Sequence, residues 1–172
     1  MRRAAVLPVL FAALACDGGL APAPRPTTCP ASFQGVCGTV VFRGALPEST
    51  DVVYVVAYAN FPQSHADLFT YLPAIPPQLA LPATATDTTR FYTLAVPAGR
   101  YHWVLAVWKK LGSLTFANAD TLLRETGYYR NPADPSQPGA VNVYGAGTDS
   151  IDFVVDFTNM HPVSYYFPLA RR

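Results

Sequence analysis

The sequence predicts an all-β antiparallel sandwich of about seven strands, interrupted by two long excursions. Three observations predict it. Alternation of apolar and polar residues with a period of two dominates from Gly35 onward. The chain carries 17 prolines and 11 glycines, too many for a helical bundle and suited to short strands joined by turns. Its 172 residues are 51% hydrophobic and 13% charged, one domain's worth of chain with enough apolar surface for a core.

The strands follow in order. Val-Cys-Gly-Thr-Val-Val-Phe-Arg-Gly, residues 36–44, is the first, ended by Gly44 and Pro47. Asp51–Tyr58 is the second; it is apolar on both faces, which predicts a central strand. Arg90–Val96 turns Tyr92, Leu94 and Val96 to one side. Tyr101–Trp108 places Tyr101, Trp103, Leu105 and Val107 on one face, read as the inner face, and His102 on the other. Between these two runs, Pro97 presets φ for a turn and Gly99 is expected to take a positive φ. Residues 140–144 form a short strand, and Ser150–Phe157 points Ile151, Phe153, Val155 and Phe157 inward. Residues 163–167 are expected to add an edge strand.

The excursions span residues 59–89 and 109–139. The first holds one helical turn capped by Ser64. In the second, Asn-Ala-Asp-Thr-Leu-Leu-Arg-Glu-Thr-Gly is a short helix with Asn118 or Asp120 as N-cap and Gly127 as stop, followed by an extended loop through residues 128–139. Loops of this length are where a site is expected.

The N-terminus is a targeting segment. Arg2 and Arg3 form a charged start, and Ala4–Ala15 is an apolar run of twelve residues, too short to span a bilayer as a helix. Small residues Ala13 and Ala15 precede Cys16, as in a bacterial lipobox, in which that cysteine is lipidated and becomes the mature N-terminus. Ala13 stands where that pattern prefers leucine; the alternative is an ordinary signal peptide followed by a chance cysteine. Cysteine arithmetic agrees with lipidation. Of Cys16, Cys29 and Cys37, removing Cys16 leaves the other two with only each other, and an oxidising compartment favours a Cys29–Cys37 disulfide. The rival, a metal pair, needs further soft ligands that the sequence does not place nearby. Residues 16–34 are a Pro-rich tether, residues 35–158 the sandwich, and residues 159–172 a tail or edge strand.

The formal net charge is +1. Removal of residues 1–15 takes Arg2 and Arg3, leaving 10 basic residues against 11 acidic ones, a net charge of −1. No basic stripe exists, which excludes nucleic acid as an expected partner.

The run Gly38-Thr39-Val40-Val41-Phe42-Arg43-Gly44, together with the turn Leu94, Pro97, Gly99 and Tyr101, resembles the carboxypeptidase regulatory-like, or transthyretin-like, modules of bacterial envelope proteins. The resemblance covers roughly residues 36–157. It implies an immunoglobulin-like, prealbumin-like sandwich and has no specificity for a function. Enzymes of that fold carry further signatures. The Tyr-Arg-Gly-Ser tail of hydroxyisourate hydrolases is replaced by a run ending Leu169-Ala170-Arg171-Arg172. The clustered tyrosines and histidines of intradiol dioxygenases have no counterpart, since His65, His102 and His161 lie far apart. The Lys–Asn cross-link of collagen adhesins lacks its early lysine, because Lys109 and Lys110 are the only two.

Few residues invite chemistry. His102 is expected in solvent, and His161 beside Pro162 has no evident partner. Asp152 and Asp156 share a face as on any solvated strand. His65 and Asp67 flank Ala66 and offer two metal or polar ligands, though capping explains them as well. No Gly-rich phosphate loop, nucleophile elbow, zinc motif or calcium loop is present, so neither catalytic residues, metal nor cofactor is expected. The aromatics Trp108, Tyr128, Tyr129, Tyr144, Tyr165 and Tyr166 offer stacking faces, with Tyr128 and Tyr129 foremost because they begin a loop. The candidate ligand set is therefore Tyr128, Tyr129, Trp108, His65 and Asp67.

The expected protein is exported and lipid-anchored through Cys16 to a bacterial cell envelope, on its periplasmic side or at the cell surface. There it acts as a non-enzymatic binding or accessory module for an envelope protein or glycan. The alternatives are a carbohydrate-binding module using loop aromatics and a small hydrolase or metalloenzyme built on His65 and Asp67.

Overall fold

Strand β1 (Gly35–Arg43) is the spine of the first sheet. It pairs antiparallel with β3 (Thr89–Ala95) and parallel with β10 (Phe153–Asp156), giving the order β10-β1-β3. The second sheet has the order β11-β6-β5-β2, built from β2 (Thr50–Tyr58), β5 (Trp103–Lys110), β6 (Leu123–Tyr128) and β11 (His161–Pro162). These coordinates come from a computed structural model that describes residues 27–64, 67 and 89–167. The N-terminal run read as a targeting segment, Cys16, His65 and most of the 59–89 excursion lie outside the described residues. Three strands and four strands in two facing sheets bear out the all-β sandwich of about seven strands.

The core lies between the sheets because their alternations meet there. The first sheet contributes Val36, Val40, Phe42, Tyr92, Leu94, Phe153 and Val155. The second contributes Val53, Val55, Ala57, Val104, Ala106 and Trp108. The inward faces expected for β3 and β10 are therefore the observed ones. Tyr92 is anchored as well as buried, its hydroxyl donating to Ile151 O at 2.7 Å. A small ribbon of β4 (Gly99–Tyr101) and β9 (Val141–Val143) closes one end of the core with Tyr101, Val141 and Val143.

The arm before β1 is stapled to it by the Cys29–Cys37 disulfide, as the cysteine count predicts. With a sequence separation of 8, the cross-link restricts the unfolded chain by roughly 2–3 kcal/mol.

Several expectations change. The run 101–108 is not one strand. His102, which is exposed, forms a bend with its N–H donating to Tyr58 O at 2.8 Å, and β5 starts after it. The bend flips the phase, so Tyr101 faces the main core while Trp103, Leu105 and Val107 face the opposite side of the second sheet. There they meet Tyr54, Val56 and Tyr58 through the cross-strand pairs Tyr54↔Val107, Val56↔Leu105 and Tyr58↔Trp103. This second apolar layer explains why β2 is apolar on both faces although it is an edge strand and not a central one.

The second excursion is structured. A 3₁₀ turn, Phe116–Asn118, leads into α1 (Ala119–Leu122), whose N-cap is Asn118. The helix stops after one turn, and residues 123–128 become β6 because β5 offers them a ladder. The expected loop beyond it is a hairpin of β7 (Arg130–Asn131) and β8 (Asp134–Pro138). The expected edge strand at 163–167 is instead the short β11 followed by α2 (Val163–Tyr166). Among the described residues no helix is long and apolar enough to cross a membrane.

Two glycines exchange roles. Gly99 is not among the positive-φ residues, and a Cβ there would meet only the Tyr101 ring edge at 4.0 Å. Gly127 is no helix stop. It has φ +153°, and a Cβ there would fall 1.8 Å from Val154 O on β10. Only glycine fits where β6 presses backbone to backbone on β10. Gly127→Ala is therefore expected to lower the unfolding free energy by roughly 2–4 kcal/mol. Gly99→Ala should change it by less than about 0.5 kcal/mol. Urea unfolding of the two variants measures the contrast, and equal losses would refute it.

Candidate functional site

The stretch of β6 that touches β10 also carries a β-bulge in its pairing with β5. Ala106 pairs with Gly127, yet the next residue, Val107, pairs with Glu125. The extra residue changes which side chains share a face. Glu125 and Tyr128 are three apart and would point to opposite faces of a regular strand. Here they pair with Val107 and Leu105, which share the outer layer, so both point outward. Thr126 is turned inward and buried, its hydroxyl donating to Ala106 O at 3.2 Å.

An open cleft of about 770 Å³ follows this seam. Its walls come from β6, from β10, from the β7–β8 hairpin and from the chain through β11 and α2. At one end stands a hydrogen-bonded trio. Glu125, 7% exposed, accepts on Oε2 from His161 Nδ1 at 2.9 Å and from the Tyr166 hydroxyl at 2.8 Å. With the carboxylate accepting, Nδ1 carries the imidazole hydrogen and Nε2 is left to the surroundings. Glu125 Oε1 has no partner among the described residues. Burial, reinforced by the Glu125 charge and the hydrogen bond to it, pushes the Tyr166 phenol above its ordinary value, so it remains a donor.

Aromatic rings surround this trio. Trp103 lies 2% exposed in the wall, with Phe61 at 4.8 Å and Tyr166 at 5.2 Å between ring centroids. Its indole Nε1–H is buried and finds no acceptor among the described residues. Tyr165 is 63% exposed, and His161 stacks on one of its faces at 4.3 Å. Tyr128 carries the Arg130 guanidinium 4.5 Å above its ring, and Arg130 also donates to Pro135 O at 2.8 Å. At the far end lie Arg43, Asp152 and Asp156. The Asp156 carboxyl is held below its ordinary value, first by the Thr158 hydroxyl and N–H and further by the Arg43 charge.

Of the five candidate ligand residues, only Tyr128 belongs to this cleft; Tyr165 and Tyr166, also read as stacking faces, line it as well. Tyr129 is half-buried against the main core. Trp108 is 5% exposed in that core, and its Nε1 donates to Thr50 Oγ1 at 2.7 Å, so it presents no stacking face. Asp67 closes a local turn by accepting from Gln63 N at 2.8 Å, and His65 lies outside the described residues. His161, without an evident partner in the sequence, is paired through space with Glu125, 36 residues away. Glu125 was not singled out at all, because its role depends on a bulge.

The arrangement offers hydrogen-bonding groups and aromatic faces. Among the described residues no Ser, Thr or Cys side chain is hydrogen-bonded to His161. The Ser136 hydroxyl in the wall is committed to Asp134 at 2.6 Å. Among the described residues, the one group of metal-ligating atoms close enough to share an ion is Cys29, Cys37 and Asp149, and the disulfide takes both sulfurs. Comparisons with protein-family models, curated proteins and solved structures give no match.

Two outcomes follow from this geometry. Glu125→Leu strands the His161 and Tyr166 donors, which should lower stability by about 1–3 kcal/mol and speed amide exchange across residues 161–166. Unchanged exchange there would contradict the role given to the trio. Burial raises the folded-state pKa of Tyr58, Tyr92 and Tyr166 above that of a free phenol. The stability they contribute is whole below about pH 10, where the unfolded phenol titrates, and is lost as pH rises beyond it. Their phenolate absorbance should thus appear only together with unfolding, read by circular dichroism on the same samples.

Proposed function

We propose that this chain is a non-enzymatic binding module tethered by lipid to a bacterial cell envelope, with its ligand entering the β6–β10 cleft. The observation that carries the binding half is the cleft itself, an open concavity in which Tyr165 stays exposed beside a buried polar trio. A sandwich needing these aromatics for its core alone would bury Tyr165 as it buries Tyr92 and Trp108. The tethering half rests on the N-terminal pattern ending at Cys16, and the Cys29–Cys37 disulfide is compatible with export. The resemblance to carboxypeptidase regulatory-like modules supports the same setting. The partner is an envelope protein or a glycan.

The Glu125–His161 pair favours a second reading, in which His161, oriented through Nδ1, acts as a general base on water in a small hydrolase. Turnover of any ester or glycoside, abolished by His161→Asn, would establish it in place of binding.

A photo-reactive residue at position 165 tests the binding reading in cells. It should give a discrete adduct, while the same group at Tyr144, 72% exposed and outside the cleft, should not. Equal adducts at both sites, or none at 165, would count against the cleft. Fatty-acid labelling should be lost in Cys16→Ser; equal labelling would end the tether.

A further inference from the structure

Resting on the lipid tether of that reading, we infer that one pole of the sandwich lies on the bilayer surface, with the outer face of the β4–β9 ribbon set into the headgroup layer. Strand pairing places the poles. At the first, Gly35 opens β1, pairs with Ala95 at the end of β3, and its carbonyl accepts from Thr148 N at 2.9 Å. The chain after β3 runs into β4, and the bend after β4 is tied to the end of β2 by His102 N donating to Tyr58 O. At the second pole, Leu111 N donates to Ser49 O at 2.8 Å, beside the turn between β1 and β2. The nine residues of β1 put about 30 Å between the two. The tether joins the first pole. Cys29 is bonded to Cys37, its N–H donates to Asp149 Oδ1, and a Cβ on Gly147 would fall 2.5 Å from its Sγ. Cys16 precedes Cys29 by 29 − 16 = 13 residues, a reach of at most about 45 Å. A lipid there draws the first pole to the bilayer, and bringing the second pole down instead would take most of that reach.

The surface at the first pole suits that contact. Residues 27–35, 58–64, 95–100 and 141–150 carry only two charged side chains, Arg100 and Asp149, and Asp149 is turned to Cys29 N. The neighbouring β7–β8 hairpin adds one charge of each sign, Arg130 and Asp134. The second pole instead gathers Arg43, Glu48, Asp51, Lys109 and Lys110 at the ends of β1, β2 and β5. In the β4–β9 ribbon Tyr101, Val141 and Val143 face the core. Arg100 and Asn142, a cross-strand pair between them, therefore face outward, and Tyr144 follows in the same phase. All three are exposed, Tyr144 at 72%. This is the chemistry of a membrane–water boundary, a phenol with an apolar ring and a polar tip beside a guanidinium fitted to phosphate. A protein partner for this face would have to enter between the domain and the bilayer that holds it.

The test uses the full-length lipidated chain in vesicles of phosphatidylethanolamine and phosphatidylglycerol, with and without bromine at the headgroup end of the acyl chains. Bromine quenches tryptophan only at contact range, and the two native tryptophans are buried. Tyr144→Trp should add emission that is lost in the brominated vesicles. Leu111 is 60% exposed at the second pole, and Leu111→Trp should add emission that bromine leaves unchanged. Both sites are exposed, so neither replacement disturbs the fold, which circular dichroism verifies. Equal quenching of the two variants, or none in Tyr144→Trp, overturns the orientation. Fatty-acid labelling of the same preparations separates this result from the tether. Labelled chain without quenching ends the orientation alone, and unlabelled chain ends both. A photo-reactive group at position 144 meets lipid in this orientation, which keeps its products distinct from the discrete adduct expected at 165.

Discussion

The close passage of Gly127 over Val154 O is the constraint from which the site follows. Two sheets of a sandwich ordinarily touch through side chains about 10 Å apart. At this corner the backbones of β6 and β10 meet directly, because no Cβ stands between them. Its neighbour Thr126 is the extra residue of the bulge in the β5–β6 pairing. Gly127 therefore joins the sheets, and the bulge beside it at Thr126 places Glu125 and Tyr128 on the same side. Without the extra residue, one of those two side chains would be driven into the main core.

The second sheet is covered on both faces, and this sets the character of the cleft. Its inner face packs on the first sheet. Its outer face carries Val56, Tyr58, Trp103 and Leu105, all buried. Phe61 and Tyr166 pack their rings on Trp103, so the chain after β2 and the chain after β11 converge on one indole. A carboxylate set beside such a layer needs donors, and Glu125 has them from His161 and Tyr166. The polar trio thus holds the segment from β11 to α2 against β6, while leaving Tyr165 outside as the exposed neighbour.

Much of the fold was legible residue by residue. Tyr92, Leu94, Ile151, Phe153, Val155 and Phe157 face the core as their period of two requires, and Cys29 finds Cys37. The errors have definite causes. Leu123 through Gly127 reads as the rest of a helix and its stop, since local propensity has no knowledge of the ladder waiting on β5. Trp103 was assigned to the main core because alternation was carried through His102, where the backbone bends. Trp108 was offered as a ligand face for the same reason, with the phase inverted. Of the cleft's aromatics, Tyr128, Tyr165 and Tyr166 were offered as stacking faces, Tyr128 for a mistaken reason: it ends a strand and does not begin a loop.

By itself the sequence determined the sandwich class, the inward faces of β3 and β10, and the disulfide partners. Each of these depends on short-range alternation or on a count of residues, and both are local properties. Only the tertiary structure decided the cleft. Glu125, His161 and Tyr166 come together because a strand of two residues pairs with β6 across a separation of 36 positions. Glu125 faces them because a bulge at Thr126, beside the approach of β10, resets the alternation that the sequence displays. No local pattern encodes a phase that is set by a strand arriving from elsewhere in the chain.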